Sequence, residues 1–290
     1  MSKNIVLTGG NGFVGSLLIN ILKKNGHLVT NIDFKSGHNI ENWNKVKKVS
    51  GFDVLIHLAA KSYVPASYQV PHDFYSINLI GTLNMLELCR LNNASMIYTS
   101  SYVYGIPQYL PIDESHPLKP LNPYSHTKIL GEELCKSYYE NFGVPITILR
   151  PSNIFGYGQD DRFLIPTIIN QINSKNIKLK DKNPKRDYIY VKDVVDAYVK
   201  CLDNHDDKFR IFNIGSGESH SVEDIANMII KVSKKNVSVQ FSKSDREVEV
   251  MDTRYSILNA NKFLKWEPKY SLRSGVKEMI MYKKTYKRSI

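Results

Sequence analysis

An α/β fold, a doubly wound parallel sheet followed by a smaller C-terminal α/β region, is predicted by three features of this 290-residue chain. A short apolar strand runs into three glycines spaced G-x-x-G-x-x-G, Gly9, Gly12 and Gly15, and then into a helix with apolar residues at Leu17, Leu18, Ile21 and Leu22. A second strand, His27 to Asp33, ends in an acidic residue about twenty positions after the turn. Strand-like and helix-like stretches then alternate as far as Pro151.

Each element has its own justification. The first glycine allows the strand to turn sharply, the second lets the backbone approach a pyrophosphate, and the third lets helix and strand pack closely. Phosphates would sit over the free N–H groups at the helix N-terminus, where the helix dipole is positive. With an acid at the end of the second strand, this is the dinucleotide-binding arrangement of a Rossmann domain, predicted over residues 1–151. Asp33 is placed to accept ribose hydroxyls and to repel a 2′-phosphate, which favours NAD; Lys35 would soften that repulsion, so NADP is the alternative. Only a short stretch links Asp33 to the next strand, Asp53 to Ala60, so one edge strand is expected to be reduced or lost. A helix follows, with Ile77, Leu79, Leu83, Leu86 and Leu88 at roughly helical spacing. Ala94 to Ser101 reads as a buried strand ending in small hydroxyl residues, and ligands gather at that end of parallel strands, so Ser100 and Ser101 are well placed for chemistry.

A loop with five prolines then leads to a helix carrying Tyr124 and Lys128 on one face, one turn apart. The strand VPITILRP closes the dinucleotide half. Residues 152–290 read as a substrate-binding region, some of whose strands and helices return to the first domain. Its helix from Val222 has Ser221 as N-cap with Asp224 at the third helical position, and its tail holds two amphipathic helices around a proline break.

Composition narrows the function classes. The 42% hydrophobic and 23% charged content is that of an ordinary globular protein. Lys and Arg exceed Asp and Glu by 39 to 28, giving a net charge of +11, which suits an anionic substrate or cofactor. No arginine-rich arm or aromatic-basic module points to nucleic acid. Cys89, Cys135 and Cys201 lie far apart in helical segments, which indicates core thiols rather than a metal site or disulfides, so no metal is expected. The chain enters a strand within about four residues and has no apolar run of membrane-spanning length, so the reading is a cytoplasmic protein without membrane contact.

Ser100, Tyr124 and Lys128 form the constellation with catalytic chemistry. An ammonium beside a phenol stabilises the phenolate and lowers its pKa from about 10, allowing proton exchange with a sugar hydroxyl or carbonyl while hydride moves at a nicotinamide. Other residues take plainer readings: His57 as a satisfied buried histidine, Asn78 as a brace for backbone near the site with substrate contact as the alternative, and Tyr102 and Tyr104 as packing or as walls around a sugar.

The stretches TGGNGFVG, DVLIHLAA, NLIGTLNMLEL, YTSSYVYG, PYSHTK, LRPSNIFG, RDYIYVKDVVDA, FNIGSG and DTRYSILNANKFLKWEP resemble, over essentially the whole length, the extended short-chain dehydrogenase/reductase family, most of whose members act on nucleotide sugars. The resemblance implies Ser100, Tyr124 and Lys128 as catalytic residues. It implies cofactor contacts at Gly9, Gly12, Phe13, Val14, Gly15, Asp33, Ala59 and Lys128. Substrate contacts are implied at Ser62, Asn78, Ser100, Asn153, Arg186 and Arg246, the two arginines near the nucleotide end, where a guanidinium fork matches phosphate oxygens. It also implies a homodimer built from the helices around Leu83–Arg90 and Lys128–Tyr139.

Relatives that dehydrate a sugar at positions 4 and 6 need an acidic pair just after the catalytic hydroxyl, and Ser101 and Tyr102 cannot serve. Reduction of a 4-keto nucleotide-diphosphate sugar, or the reverse oxidation, is the first reading, because the short link after Asp33 and the missing glycine turn before RDY resemble compact 4-keto-sugar reductases. A nucleotide-sugar 4-epimerase is the alternative. A dinucleotide-binding sensor without catalysis is the remote one, since a pure binder has no use for the serine, tyrosine and lysine.

Overall fold

The computed structural model describes residues 2–204, 208–243 and 248–286. Its strands are β1 (Asn4–Thr8), β2 (Leu28–Ile32), β3 (Val54–His57), β4 (Ser95–Thr99), β5 (Ile146–Pro151), β6 (Asn153–Phe155), β7 (Asn176–Lys180), β8 (Lys185–Tyr190), β9 (Arg210–Ile214), β10 (Ser219–Ser221) and β11 (Ser238–Ser242). The helices are α1 (Phe13–Lys24), α2 (Trp43–Val46), α3 (Val64–Gln69), α4 (Pro71–Tyr75), α5 (Gly81–Asn92), α6 (Pro123–Phe142), α7 (Leu164–Gln171), α8 (Val191–Asp203), α9 (Val222–Ser233) and α10 (Leu272–Tyr286). A π-helical turn, Ser76–Ile80, joins α4 to α5.

Strands β2-β1-β3-β4-β5-β9 form one sheet in that order, every pair parallel. Successive side chains of a strand face opposite ways. Ile5, Leu7, Val54, Ile56 and Ile97 accordingly enter one core with Leu18 and Leu22 of α1 and Val194 and Tyr198 of α8. Val6, Leu55, Met96 and Tyr98 enter another with Met85, Leu86 and Cys89 of α5 and Cys135 of α6. Apolar residues on both faces explain why these strands read as continuous hydrophobic runs. The chain winds from β1 outward to β2, then crosses back to place β3 on the other side of β1. The crevice between β1 and β3, at the carboxyl ends of the strands, is therefore the topological switch point where ligands bind in such sheets.

The expected edge-strand reduction is present: β2 ends the sheet among the described residues, and the link to β3 holds only a 3₁₀ turn at Phe34–Ser36 and the short α2. Beyond residue 151 the chain does return to this sheet. Strand β9 pairs with β5, and Tyr198 of α8 shares a 2.6 Å hydrogen bond with the Thr99 hydroxyl. The remaining strands make a three-stranded sheet, β10-β8-β6, and a parallel pair, β11-β7, packed with α7, α9 and α10 around Phe155, Ile168, Tyr190, Ile225 and Val276. Asp187, fully buried on β8, pins this part together by accepting from Ser152 Oγ (2.9 Å) and from the backbone N–H groups of Ser216 (2.8 Å), Gly217 (3.0 Å) and Tyr255 (3.2 Å).

Helix ends follow their sequence signals. Ser221 and Asp224 close a reciprocal capping box on α9, and Asn122 with Ser125 does the same for α6, which ends at Gly143 in the left-handed conformation. The tail departs from two regular helices. Its first piece is a π-helical turn, Ala260–Leu264, held by Trp266, whose indole donates to the Asp193 carbonyl at 3.0 Å. The three cysteines are free and buried. Among the described residues, no helix is long and apolar enough to cross a membrane and no cluster of ligating side chains could hold a metal ion.

Candidate active site

The glycine turn sits at the carboxyl end of β1. Gly9 has φ +75°, and a side chain there would meet the Ala59 backbone at 2.9 Å, so Ala59 is held against the turn. A Cβ on Gly15 would fall 2.3 Å from the Gly9 carbonyl oxygen and 2.8 Å from Gly10 Cα, so this glycine is what lets α1 pack on the turn. Gly12 differs: the only atom near a Cβ there is the Gly9 oxygen, at 3.1 Å. No side chain caps α1, whose first N–H groups, including those of Phe13 and Val14, have no partner within the helix. The open side at Gly12 and the uncapped helix end fit a pyrophosphate.

Asp33, 6% exposed, lies beside this turn and accepts from Asn11 N and Lys35 N, both at 2.9 Å. Those bonds orient the carboxylate and leave its remaining lone pairs for ribose hydroxyls. Asn31 supports the same corner by accepting from Gly10 N at 3.0 Å.

On the far side of the switch point, α6 presents Tyr124 and Lys128. The Tyr124 ring stands edge-on to Phe74 with centroids 6.4 Å apart. Burial raises its phenol pKa, and a hydrogen bond from the Ser101 hydroxyl opposes that shift. Lys128, 4% exposed, donates to the Thr99 carbonyl at 2.8 Å and lies 5.1 Å from the centre of the Tyr98 ring. Burial lowers its pKa to about 8, with Cys135 and Glu132 opposing the shift. The ammonium is thus fixed on backbone, and the phenol in this structure is held neutral by its surroundings; the lowered tyrosine pKa expected from sequence is not seen.

Ser100 follows β4 directly, is 2% exposed, and donates to Glu132 at 2.5 Å. Ser101 comes next, beside the Tyr124 phenol. Of the two readings of Asn78, the brace is the one the structure fits: the residue is 1% exposed, and its amide engages Lys61 N (2.8 Å), Lys61 O (3.0 Å) and the Thr127 hydroxyl (3.0 Å). It braces the loop after β3 against α6. His57 is likewise saturated, between the hydroxyls of Thr8 (2.7 Å) and Thr82 (3.0 Å); burial first, and the Lys128 charge second, pull its pKa down to about 3.

Ser62 is exposed on the loop after β3. Asn153 begins β6 and donates to the Asp187 carbonyl at 3.0 Å. Arg186 donates to the Val250 carbonyl at 2.5 Å and pairs with Glu249, so a nucleotide phosphate would have to share it. Arg246 lies outside the described residues. Tyr104 is core: it is 1% exposed, and its hydroxyl donates to Asn213 at 2.5 Å. Tyr102 is half-buried, next to Ser101, and stacks on Tyr255 with centroids 6.3 Å apart.

Sequence reasoning overlooked Glu132 and Arg150, a buried ion pair directly behind the site. Both carried a signal. Glu132 falls four residues after Lys128 on the same face of α6, and Arg150 is a charged residue at the end of an otherwise apolar strand.

A family model described as the NAD dependent epimerase/dehydratase family matches residues 5–215. A protein of Methanocaldococcus jannaschii, provisionally named a UDP-glucose 4-epimerase, is 33% identical over 98% of this chain and 100% of its own. The GDP-6-deoxy-D-mannose reductase of Pseudomonas aeruginosa is 29% identical over 79% of each chain. Among solved structures, the UDP-glucose 4-epimerase of Thermotoga maritima with UDP-glucose superposes with a TM-score of 0.91 at 25% identity, covering 98% of this chain and 99% of that one.

Proposed function

The chain belongs to the NAD dependent epimerase/dehydratase family, of the extended short-chain dehydrogenase/reductase type, and from that premise we propose that it moves hydride at C4 of a nucleotide-diphosphate sugar. The observation that carries the reading is Tyr124 and Lys128 on one face of α6 with Ser100 directly after β4, across the switch point from the glycine turn. Gly9, Gly12, Phe13, Val14, Gly15, Asp33, Ala59 and Lys128 would hold NAD, which would accept and return the hydride, with NADP as the alternative. Tyr124 takes the proton of the C4 hydroxyl when hydride leaves carbon and returns it when hydride comes back. Lys128 lends positive charge to the phenolate form, and Ser100 hydrogen-bonds the same sugar oxygen, with Ser101 beside the phenol. Ser62, Asn153, Arg186 and Arg246 lie toward the rest of the substrate, with residues 152–290 binding its nucleotide end. A homodimer formed through α5 and α6 completes the reading; a monomer mass in sedimentation would remove that part.

Two net reactions use this machinery. In a 4-epimerase the hydride returns to the other face of the sugar within one turnover; in a 4-keto-sugar reductase it comes from consumed cofactor. The short link after Asp33 speaks for a reductase, while an epimerase superposes on this chain with a TM-score of 0.91. The 33% identity over nearly the full length to a protein named for epimerisation favours the first. The relation to GDP-6-deoxy-D-mannose reductase supports the second.

The test offers UDP-, GDP- and dTDP-hexoses, UDP-glucose and GDP-6-deoxy-D-mannose among them, with NAD or NADP, and follows both product and nicotinamide absorbance. Interconversion of C4 epimers without net cofactor change identifies an epimerase, and stoichiometric cofactor reduction by a C4 alcohol identifies the reductase running backward. Neither change with any sugar would overturn the proposal.

A further inference from the structure

Residues 156–163 link β6 to α7, and their contacts reach both sides of the crevice between β1 and β3. At its start the segment rests on the glycine turn. A Cβ on Gly156 would lie 3.3 Å from Phe13 Cζ, and one on Gly158 would lie 3.8 Å from Phe13 Cδ2. At its end it meets the loop after β3. The Arg162 guanidinium lies 4.1 Å from the centre of the Tyr63 ring, and the Phe163 ring stands edge-on to the same ring with centroids 6.1 Å apart. Phe13 opens the helix after β1, and Tyr63 caps the helix after β3. The segment therefore spans the mouth of the switch point from one wall to the other.

Its far end is fastened by contacts that can be undone. Arg162 is more than half exposed, and Asp160 aims it by accepting from Nε at 2.8 Å and from a terminal nitrogen at 2.7 Å. The near end is held differently, by Tyr157 stacked on Tyr282 of α10 with centroids 4.8 Å apart. Between them, Gln159 donates through Nε2 to the Ile154 carbonyl at 2.7 Å, while its Oε1 is buried with no hydrogen-bond partner among the described residues. A buried acceptor without a donor penalises the arrangement that buries it. One cation–π contact and one ring-edge contact are set against that penalty, which is the balance of an element with two accessible positions. A brace meant only to hold the fold would use fully buried apolar side chains, as the cores on either side of the sheet do.

We propose that residues 156–163 form a strap across the cofactor crevice, latched by Arg162 and Phe163 on the Tyr63 ring, and that opening of this latch sets how fast a nicotinamide dinucleotide leaves the protein. The inference rests on the reading of the glycine turn as the dinucleotide site. It bears on the net reaction, because a 4-epimerase keeps its dinucleotide between turnovers and a reductase exchanges it at each one.

The test loads the full chain with NADH or NADPH, chases it with an excess of the oxidised form, and follows nicotinamide fluorescence. Only bound dinucleotide gives the signal, so misfolded protein lowers the amplitude and not the rate. An exposed cation–π contact and an edge-to-face pair together favour the closed strap about five- to fiftyfold. Tyr63→Leu, which keeps bulk but loses the ring, should release the dinucleotide faster by that factor, and Tyr63→Phe should stay within about twofold of wild type. Arg162→Gln should speed release about two- to fivefold, and adding it to Tyr63→Leu should bring no further acceleration, because the two residues make one latch. Wild-type release from Tyr63→Leu overturns the inference. So does an Arg162→Gln effect of the same size with and without the Tyr63 ring, which would make Arg162 a direct phosphate partner. Failure of the underlying reading is distinct: wild-type protein that binds neither dinucleotide removes the cofactor site and the strap's role together, whereas tight binding with unaltered release in Tyr63→Leu removes the strap alone.

Discussion

Two glycines three residues apart should fail in opposite ways when each gains one methyl group. In Gly15→Ala the new carbon would lie 2.3 Å from the Gly9 oxygen and 2.8 Å from Gly10 Cα, well inside contact distance with backbone that cannot rotate away. Overpacking of that kind costs about 1–3 kcal/mol, so protein stripped of dinucleotide should unfold at clearly lower denaturant. In Gly12→Ala the only neighbour is one oxygen at 3.1 Å, and the backbone, with φ −83°, is in a region alanine adopts freely. Stability should change by about 1 kcal/mol or less, mostly through the poorer cap. The methyl would instead occupy the open side of the turn. Losing one hydrogen bond to a charged phosphate costs about 1.5–3 kcal/mol, or a roughly 10- to 150-fold weaker dinucleotide Kd. Denaturant titration of the stripped proteins and calorimetric titration with NAD read the two effects separately. If Gly12→Ala binds NAD as wild type does, the open side at Gly12 is not the phosphate cradle. If Gly15→Ala is as stable as wild type, the packing argument is wrong.

Asp33→Ser should weaken NAD binding about tenfold while raising the affinity for NADP relative to NAD, because it removes the carboxylate that accepts ribose hydroxyls and repels a 2′-phosphate; an unchanged ratio of the two Kd values would show that Asp33 does not set the preference. His57 gives a pH dependence. Its folded pKa near 3 lies below the unfolded 6.5, so its contribution is fully present above pH 6.5 and is lost as pH falls toward 3. At about 1.4 kcal/mol per unit, that window spans on the order of 5 kcal/mol. His57→Gln should therefore flatten the stability profile between pH 3 and 6.5, and an equally steep acid limb in that variant would assign it to other groups.

The dinucleotide half was legible because its signals are local. Gly9, Gly12, Gly15 and Asp33 act through backbone conformation and chain direction, which spacing along the sequence encodes, and the lost edge strand followed from chain length alone. Tyr124 and Lys128 were legible because helix periodicity fixes their common face. What the sequence did not carry was the partner of Ser100, Glu132, thirty-two residues away on α6. Asn78 was read as a brace, but its partners, Lys61 and Thr127, were not legible, because those contacts exist only once the loop after β3 has folded against α6. That some strand beyond residue 151 returns to the first sheet was expected, but that it is β9 was not legible, since a five-residue strand carries no mark of which sheet it will join.

The central claim is that Tyr124 carries the proton for hydride transfer at the sugar. It is tested most directly by mixing NAD-loaded wild-type protein and Tyr124→Phe with a nucleotide sugar active in the substrate panel and following nicotinamide reduction in a single turnover. The account predicts that the variant binds NAD and sugar within about threefold of wild type but reduces nicotinamide at least about a hundredfold more slowly, the share general acid–base catalysis supplies. Reduction at the wild-type rate by Tyr124→Phe would contradict it.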